Sequence, residues 1–561
     1  MKLFHGFILV FILTSFISQI SNSEMKFNLI CNTCRGIFGF IQKSNFVLQQ
    51  KFLTFVIEEI CILGKMFPGP VCDGAVKEMA PSVFQSLVKH LFDPDLICPK
   101  INLCPEIYQD IDIDQLVNDI LKDKPKTEEI KPTKNKTFQL LHVSDIHTDI
   151  EYKEGSNSNC GYPLCCRDES PKTEKFTPAG KWGSYADCDI PNETFKQFVR
   201  FVKENFKPEF GVWTGDNTSH DIWHQSVNGN LENSKEITSS FQENLDFKIF
   251  PVIGNHESFP VNVYDFLSNR EVYFDSSLAE MWKKWIGDDA IKSFQSDAYY
   301  SSFNEKLNLK IIGLNCQACN PENWYLLRDP TDPGKMLEWL RNELYTAENK
   351  KERVYILTHI SPGNCLDTWA KIYTAIIDRF SHIIRGQFAG HTHGDNYTAF
   401  RDSITNKVNN VLFMPGSLTT YSRRNPSFRI YEIDTETLLP VDYIDYRLDL
   451  AKWNNMTDVE NIQWDLAYTF SKEYNLPDAT YESYDKLTEM LRTDEETVKK
   501  YSHNESSGTV NYSPKENEGI NITFYCGTFP TESLQNQCSG RHKGKLDQYL
   551  DFIRGSWKHK K

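Results

Sequence analysis

Residues 138–147 read FQLLHVSDIH, a β-prone apolar run that ends in Asp145 and His147. Four later segments repeat that design. FGVWTGDN (210–217) ends in Asp216 and IFPVIGNHE (249–257) in Asn255 and His256. VYILTHISPG (354–363) carries His359, and QFAGHTH (387–393) carries His391 and His393. Any one of these is most often a polar turn, and a chance His-x-His pair is unremarkable among 14 histidines. Five in this order over about 250 residues require a common cause. Side chains at the carboxyl ends of neighbouring strands converge, which is where α/β folds place their sites. Imidazole nitrogen together with carboxylate oxygen favours zinc or another divalent transition metal over calcium or magnesium.

The chain has 561 residues, too many for one hydrophobic core. Its composition, 40% hydrophobic and 24% charged, is that of a globular protein. A formal net charge of −15 argues against general nucleic-acid binding.

Residues 1–23, MKLFHGFILVFILTSFISQISNS, place an apolar block from Phe7 to Ile17 behind Lys2, and small polar residues follow. That pattern predicts a secretory signal peptide; the alternative, an uncleaved anchor, has a block short for a membrane span. The expected destination is a lysosome-like organelle or the cell exterior. Fifteen cysteines fit an oxidising route. So do acceptor sequons at Asn135, Asn192, Asn396, Asn455, Asn504, Asn511 and Asn521. Asn217 also heads a sequon but lies inside a candidate metal motif and is expected to stay bare.

Cysteines 31, 34, 61, 72, 98 and 104 are separated by 2, 26, 10, 25 and 5 residues. Between them FGFIQKSNFVLQQKFLTFVIEEI places Phe38, Ile41, Leu48, Phe52, Phe55 and Val56 near helical spacing. A small helical bundle stapled by disulfides is expected; a zinc site is the alternative, at unusually wide spacing. The six cysteines allow 15 pairings, and spacing does not choose among them. Residues 109–137, ending in the proline-containing KDKPKTEEIKPTKNKT, are expected to form a linker. From about Ala451, NIQWDLAYTFSKEYNL and SYDKLTEMLRTDEETVKKYSHN suggest a helical C-terminal region, 451–561, packed on the preceding domain.

Taken jointly, D-x-H, G-D, G-N-H-E, a lone His and G-H-x-H resemble the calcineurin-like metallophosphoesterases. The resemblance implies an α/β fold for residues 138–450, a β-sandwich flanked by helices. It also implies a pair of Zn²⁺ ions per chain. Asp145, His147, Asp216 and His393 would hold one ion, and Asp216, Asn255, His359 and His391 the other. His256 would assist the phosphoryl group or the leaving oxygen. Glu257 would orient it or be an exposed carboxylate, and Asp149 would support His147. The cysteine pattern of residues 27–108 is similar to saposin B-type domains, which bind lipid. Local charge is compatible with that, at eight basic against seven acidic side chains from Glu24 to Cys104. The alternative is an apolar face that merely fills the bundle. By that pattern the bridges are Cys31–Cys104, Cys34–Cys98 and Cys61–Cys72.

GDNTSHDIWHQ, NWYLLRDPTDPGKMLEWL, THISPGNC and PGSLTTYSRRNPSFRIYEID narrow the resemblance to the acid sphingomyelinase family over residues 27–545. It implies hydrolysis of sphingomyelin, in membranes or lipoproteins, to ceramide and phosphocholine. Attack would come from a metal-bound hydroxide at acid pH, with His256 or His220 protonating the leaving oxygen. It further implies Cys160–Cys165, Cys166–Cys188, Cys319–Cys365 and Cys526–Cys538, leaving Cys316 over. Peripheral membrane contact through the saposin-like domain and a monomeric state are expected. Two other readings remain. One is a secreted phosphodiesterase acting on nucleotide or other soluble esters. The other is a lipid-binding protein with an idle phosphoesterase domain, against which the full ligand set argues.

Overall fold

The computed structural model describes residues 23–560 apart from 44–46, 92, 106–107, 110–111, 127–129, 269–270, 422, 457–458, 510–518 and 542–558. Residues 1–22 of the expected signal peptide, and the sequon at Asn511, lie outside the described residues. Among those described, no helix is long and apolar enough to cross a membrane.

The N-terminal region is helical: α1 (Ser23–Lys43), α2 (Val47–Leu63), α3 (Gly69–Leu91) and α4 (Pro94–Lys100). Asp93 caps α4 by accepting from the Asp95 amide at 2.8 Å, and Pro94 occupies the first turn, where its missing N–H costs nothing. Buried apolar material is scarce here. Disulfides Cys31–Cys104, Cys34–Cys98 and Cys61–Cys72 take the place of a core, and Phe38, Ile97 and Leu103 pack on the first two of them. This is the disulfide-stapled, saposin-like arrangement. The far end of α2 and the turn after it leave large apolar side chains in solvent: Ile60, Leu63, Met66 and Phe67 are 58%, 77%, 63% and 50% exposed. The other side of the bundle docks. Gly74 on α3 lies so close to the Trp223 carbonyl that a Cβ would collide with it, and the Tyr325 hydroxyl donates to Gln85 Oε1 at 3.0 Å.

The expected linker is not free. Its residues 113–121 form a helix, α5 (Ile113–Leu121), which buries Ile120 and rests Ile113, Leu116, Val117 and Leu121 on a sheet-and-helix cluster. Lys124 Nζ then reaches Asp378 Oδ1 at 2.5 Å and Asp402 Oδ2 at 2.6 Å. Thr133 and the Lys134 amide both donate to Asp434 at 2.8 Å. The charges and prolines were legible, but the carboxylates that fasten them lie 250 or more residues away in sequence.

Twelve strands make two six-stranded sheets. The first contains β1 (Thr137–Val143), β2 (Phe210–Trp213), β3 (Ile249–Pro251), β10 (Ser427–Asp434), β11 (Pro440–Arg447) and β12 (Asp465–Thr469), in the order β12-β11-β10-β1-β2-β3. The second contains β4 (Tyr300–Asn304), β5 (Leu309–Gly313), β6 (Arg353–Leu357), β7 (Ile384–Phe388), β8 (Asn396–Arg401) and β9 (Val408–Met414), in the order β8-β9-β7-β6-β5-β4. Side chains of the second sheet alternate between two cores. Leu309, Ile311, Tyr355 and Leu357 join Leu140, Val212 and Ile430 between the sheets. Ile312, Val354 and Ile356 face outward onto α10 (Met336–Lys350) and α11 (Asp367–Phe380). Helices α6 (Asn192–Asn205), α7 (Val227–Asn244), α8 (Val272–Ile286) and α9 (Asp288–Asp297) add to the first core. The fold is thus α/β, a metallophosphoesterase-type β-sandwich flanked by helices.

The C-terminal region is mostly but not wholly helical. Residues 465–469, expected as helix, pair antiparallel with β11 and extend the first sheet. The reason is tertiary: Tyr468 swings inward and donates to Asp395, which a helical turn would not permit. Helices α12 (Tyr481–Thr493), α13 (Glu495–Glu505), α14 (Ile520–Gly527) and α15 (Glu532–Ser539) follow. The remaining disulfides are Cys160–Cys165, Cys166–Cys188, Cys319–Cys365 and Cys526–Cys538, with Cys316 buried and unbonded. Asn217 is buried and donates to Ser234. Asn504, expected to accept a glycan, is also buried, its amide donating to Glu473 Oε1, so a glycan does not fit there.

Behind the site, the buried Arg429 guanidinium pairs with Asp445 Oδ2 at 2.7 Å and with Asp395, its carbon 3.9 Å from the Tyr443 ring centroid. Arg429→Met strands two buried carboxylates and is expected to destabilise the protein by ~3–5 kcal/mol, read as a fall in melting temperature. Burial alone would raise the Asp402 pKa, but hydrogen bonds from Lys124 and the Thr405 and Ile404 amides hold it at about 2. A carboxylate with a depressed folded pKa stabilises above its unfolded value of ~4 and loses that contribution as pH falls through the folded one. Lys124→Ala should therefore lower the melting temperature most above pH ~4, and the gap to wild type should close toward pH ~2.

Candidate active site

β1, β2 and β3 run parallel as neighbours, and so do β6 and β7 in the facing sheet. Each ends where a motif begins, so the five loops meet at one rim of the sandwich. Asp145, His147, Asp216, His391 and His393 all take positive φ, between 42° and 74°. Non-glycine residues avoid that region at a cost of roughly 1–3 kcal/mol each, and the surroundings must hold them there. They do. The Asp145 and Ile146 amides donate to the Gly215 and Asp216 carbonyls, and the His391 amide donates to Asp145 Oδ1 at 2.9 Å. A Cβ on Gly390 would strike Ser144 and Asp145, and one on Gly254 would strike Asp216.

Asp216 stands at the centre. Its Oδ2 lies 3.1 Å from His359 Nε2 and 3.4 Å from His147 Nε2. On one side are Asp145 and His393, with His393 Nε2 3.5 Å from Asp145 Oδ1. On the other, Asn255 Oδ1 lies 3.1 Å from His359 Nε2 and 3.0 Å from His391 Nδ1. The Nδ1 atoms of His147 and His359 each sit 2.6 Å from a carbonyl of the same loop, Thr218 and Thr214, which fixes both rings with Nε2 inward. All seven residues singled out as metal ligands are therefore gathered into one pocket.

The donor set suits divalent cations. Asp145–His147–Asp216 and Asp216–His359–His391 each bring three ligand atoms within 4.8 Å of one another. His147 Nε2 is buried with no hydrogen-bond partner. Burial raises the pKa of Asp145. Burial would also depress His147 and His359, but the carboxylates beside them, Asp216 foremost, push both up to about 9. The buried carboxylates thus call for positive charge beside them, and divalent cations held by these residues would supply it.

Two supporting carboxylates depart from expectation. Glu257 neither orients His256 nor lies exposed. It is buried and accepts from the amides of Gly254, Asp216 (3.0 Å) and Asn217 (2.6 Å), bracing the two loops that carry Asp216 and Asn255. Burial and the nearby Asp216 charge raise its pKa to about 7. Asp149 does not reach His147; it receives a fork from Arg167, Nε to Oδ2 at 2.8 Å and Nη2 to Oδ1 at 2.9 Å. Closeness in sequence suggested His256 and His147 as their partners, but backbone amides and Arg167 hold them instead.

His256 and His220 are half-buried beside the cluster, their ring centroids 4.7 Å apart and 4.9 and 4.0 Å from that of His147. His256 Nδ1 has no hydrogen-bond partner. Tyr421 stacks on His220 at 3.8 Å, and Asp189 contacts it from behind. Sequence reading missed Asp189 and Tyr421, because ADCDIP and TTYS carry no ligand-like spacing.

Residues 138–395 match the model of the calcineurin-like phosphoesterase family. The sphingomyelin phosphodiesterase of Bos taurus is 30% identical over 85% of this chain and 78% of its own length. That of Homo sapiens is 30% identical over 83% and 76%. Sphingomyelin phosphodiesterase B of Dictyostelium discoideum is 29% identical over 84% and 75%. The chain belongs to the sphingomyelin phosphodiesterase family of calcineurin-like metallophosphoesterases and is a phosphodiester hydrolase.

Proposed function

We propose that this chain hydrolyses sphingomyelin to ceramide and phosphocholine, most actively at acid pH. Residues 138–450, with β12, form the catalytic domain and residues 27–108 a lipid-contacting one. The observation that carries the reading is the rim of apolar side chains at the end of α2 and in the turn after it, joined to a body whose pocket gathers seven ligand-type residues. A phosphodiesterase for soluble esters has no use for Leu63 and Met66 in water, whereas a bilayer substrate demands such a surface. The names of the relatives support the same substrate.

Two Zn²⁺ ions, when bound, would supply a water of lowered pKa and positive charge against the phosphoryl oxygens. Asp145, His147, Asp216 and His393 would hold one, and Asp216, Asn255, His359 and His391 the other. His256 and His220 face the same space and would steady the phosphoryl group and hand a proton to the departing ceramide oxygen, a poor leaving group without it. Burial drives both imidazoles below their ordinary pKa, so the proton-carrying forms build up on the acid side. Secretion or lysosomal delivery, a monomeric state, and glycans at Asn135, Asn192, Asn396, Asn455 and Asn521 complete the proposal.

The test is a substrate panel across pH 4–8. Phosphocholine release from sphingomyelin vesicles should exceed cleavage of nucleotide esters and be faster at pH 5 than at pH 7.5. Preference for nucleotide esters would overturn the lipid reading in favour of a soluble phosphodiesterase. Chelation, and Asp216→Asn, should each abolish turnover, with about two equivalents of zinc in the active protein by elemental analysis. Leu63→Ser with Met66→Ser should slow turnover on vesicles about tenfold while leaving a soluble phosphocholine ester within about twofold, since the pair touches only the surface.

A further inference from the structure

Asp189 is fully buried and has no part in ligand binding, yet three donors converge on it. The His220 amide donates to Oδ2 at 2.7 Å, the His220 ring presents Nδ1 to Oδ1 at 2.8 Å, and Thr419 Oγ1 donates to Oδ1 at 2.8 Å. Such a set of donors suits an ionised carboxylate, which can only accept. His220 is thus gripped at backbone and ring by one side chain, while Tyr421 lies flat against it with planes 5° apart.

The grip is itself anchored. Cys188, one residue before, is bonded to Cys166, and its carbonyl accepts from Thr420 Oγ1 at 2.7 Å. Ile190, one residue after, pairs in parallel with Thr148, the neighbour of His147. Thr419, which donates to Asp189, also donates its amide to the Asp145 carbonyl at 2.9 Å. Asp189 is therefore held on one side by the Cys166–Cys188 bond and on the other by the strand pairing of Ile190 with Thr148, in the segment that carries Asp145 and His147.

We propose that Asp189 is the positioning residue for His220: it pins the Nδ1–H so that only Nε2 faces the ester's leaving oxygen. This rests on the role proposed for His220. In the step, water oxygen bonds to phosphorus as the bond from phosphorus to the ceramide oxygen breaks. The electron pair left on that oxygen takes the proton from Nε2. The ring is left as the Nδ1–H tautomer that Asp189 already holds, so no ring flip is needed. The proton lost by the attacking water restores Nε2–H through solvent.

The test separates this role from bracing by leaving-group dependence. Sphingomyelin loses an alkoxide that needs a proton; p-nitrophenylphosphocholine loses a phenolate that does not. Asp189→Ala and His220→Ala should each lower kcat on sphingomyelin by about a hundredfold, with KM and the rate on the aryl ester changed less than about fivefold. The double variant should be no worse than His220→Ala alone, because the two act as a unit. Asp189→Asn, which keeps the size, stands in if the alanine variant does not fold, and metal content should stay at the wild-type level. Equal losses on both esters, additive losses in the double variant, or depleted metal would overturn the proposal. A selective loss in His220→Ala without one in Asp189→Ala would sink Asp189 but keep His220. Wild type that cleaves the aryl ester and not sphingomyelin would instead sink the substrate reading, and the pair would then be compared on alkyl and aryl nucleotide esters.

Discussion

Two carboxylates, Asp145 and Asp216, are sealed from water at the rim of a β-sandwich, and the rest of the molecule answers to that fact. A buried charge must be compensated, and here imidazoles from both sheets supply the partners. The geometry that brings them together is expensive in backbone terms. Ligands in the left-handed region have to be clamped by amides from neighbouring loops, and glycines have to stand wherever two loops touch. Glu257 belongs to this economy of constraint: by accepting three amides it locks the Asp216 and Asn255 loops to each other rather than taking part in binding.

Much of this could be read from the chain before any coordinates. The five motifs each followed a strand, and five strands ending at one rim leave their side chains nowhere else to go. The seven-ligand pocket was therefore legible from order and residue type. What sequence could not convey was who else is present at the rim. Asp189 directly follows the Cys166–Cys188 disulfide, and Tyr421 comes from a turn between strands. Neither stands in one of the five ligand motifs, and each matters only because tertiary pairing brings it there. Asp149 and Glu257 looked like ligand supports by proximity in sequence and turned to partners that proximity did not suggest.

The same limit explains the two errors of boundary. The stretch after Leu121 reads as a solvated tether because lysine and proline usually are solvated. Lys124 is instead drawn between Asp378 and Asp402, and α5 covers apolar surface that the sandwich would otherwise expose. Residues 465–469 read as helix because their apolar spacing is ambiguous over five positions. Sheet-edge hydrogen bonds and the inward Tyr468 decide the matter in favour of a strand. Local pattern sets the class of an element; long-range charge and pairing set its edges.

The buried sequons carry a consequence for how the chain is made. On the proposed secretory route, Asn217 and Asn504 emerge into a compartment where oligosaccharide is attached to extended polypeptide. Each later lies inside the fold, one on the loop that holds Asp216, bonded to Ser234, and the other against Glu473. Glycan transfer and compaction therefore compete for the same two amides during synthesis. Asn217 is the more sensitive of the two: a sugar there would prise apart the rim itself, so a chain that carries one cannot close around Asp216.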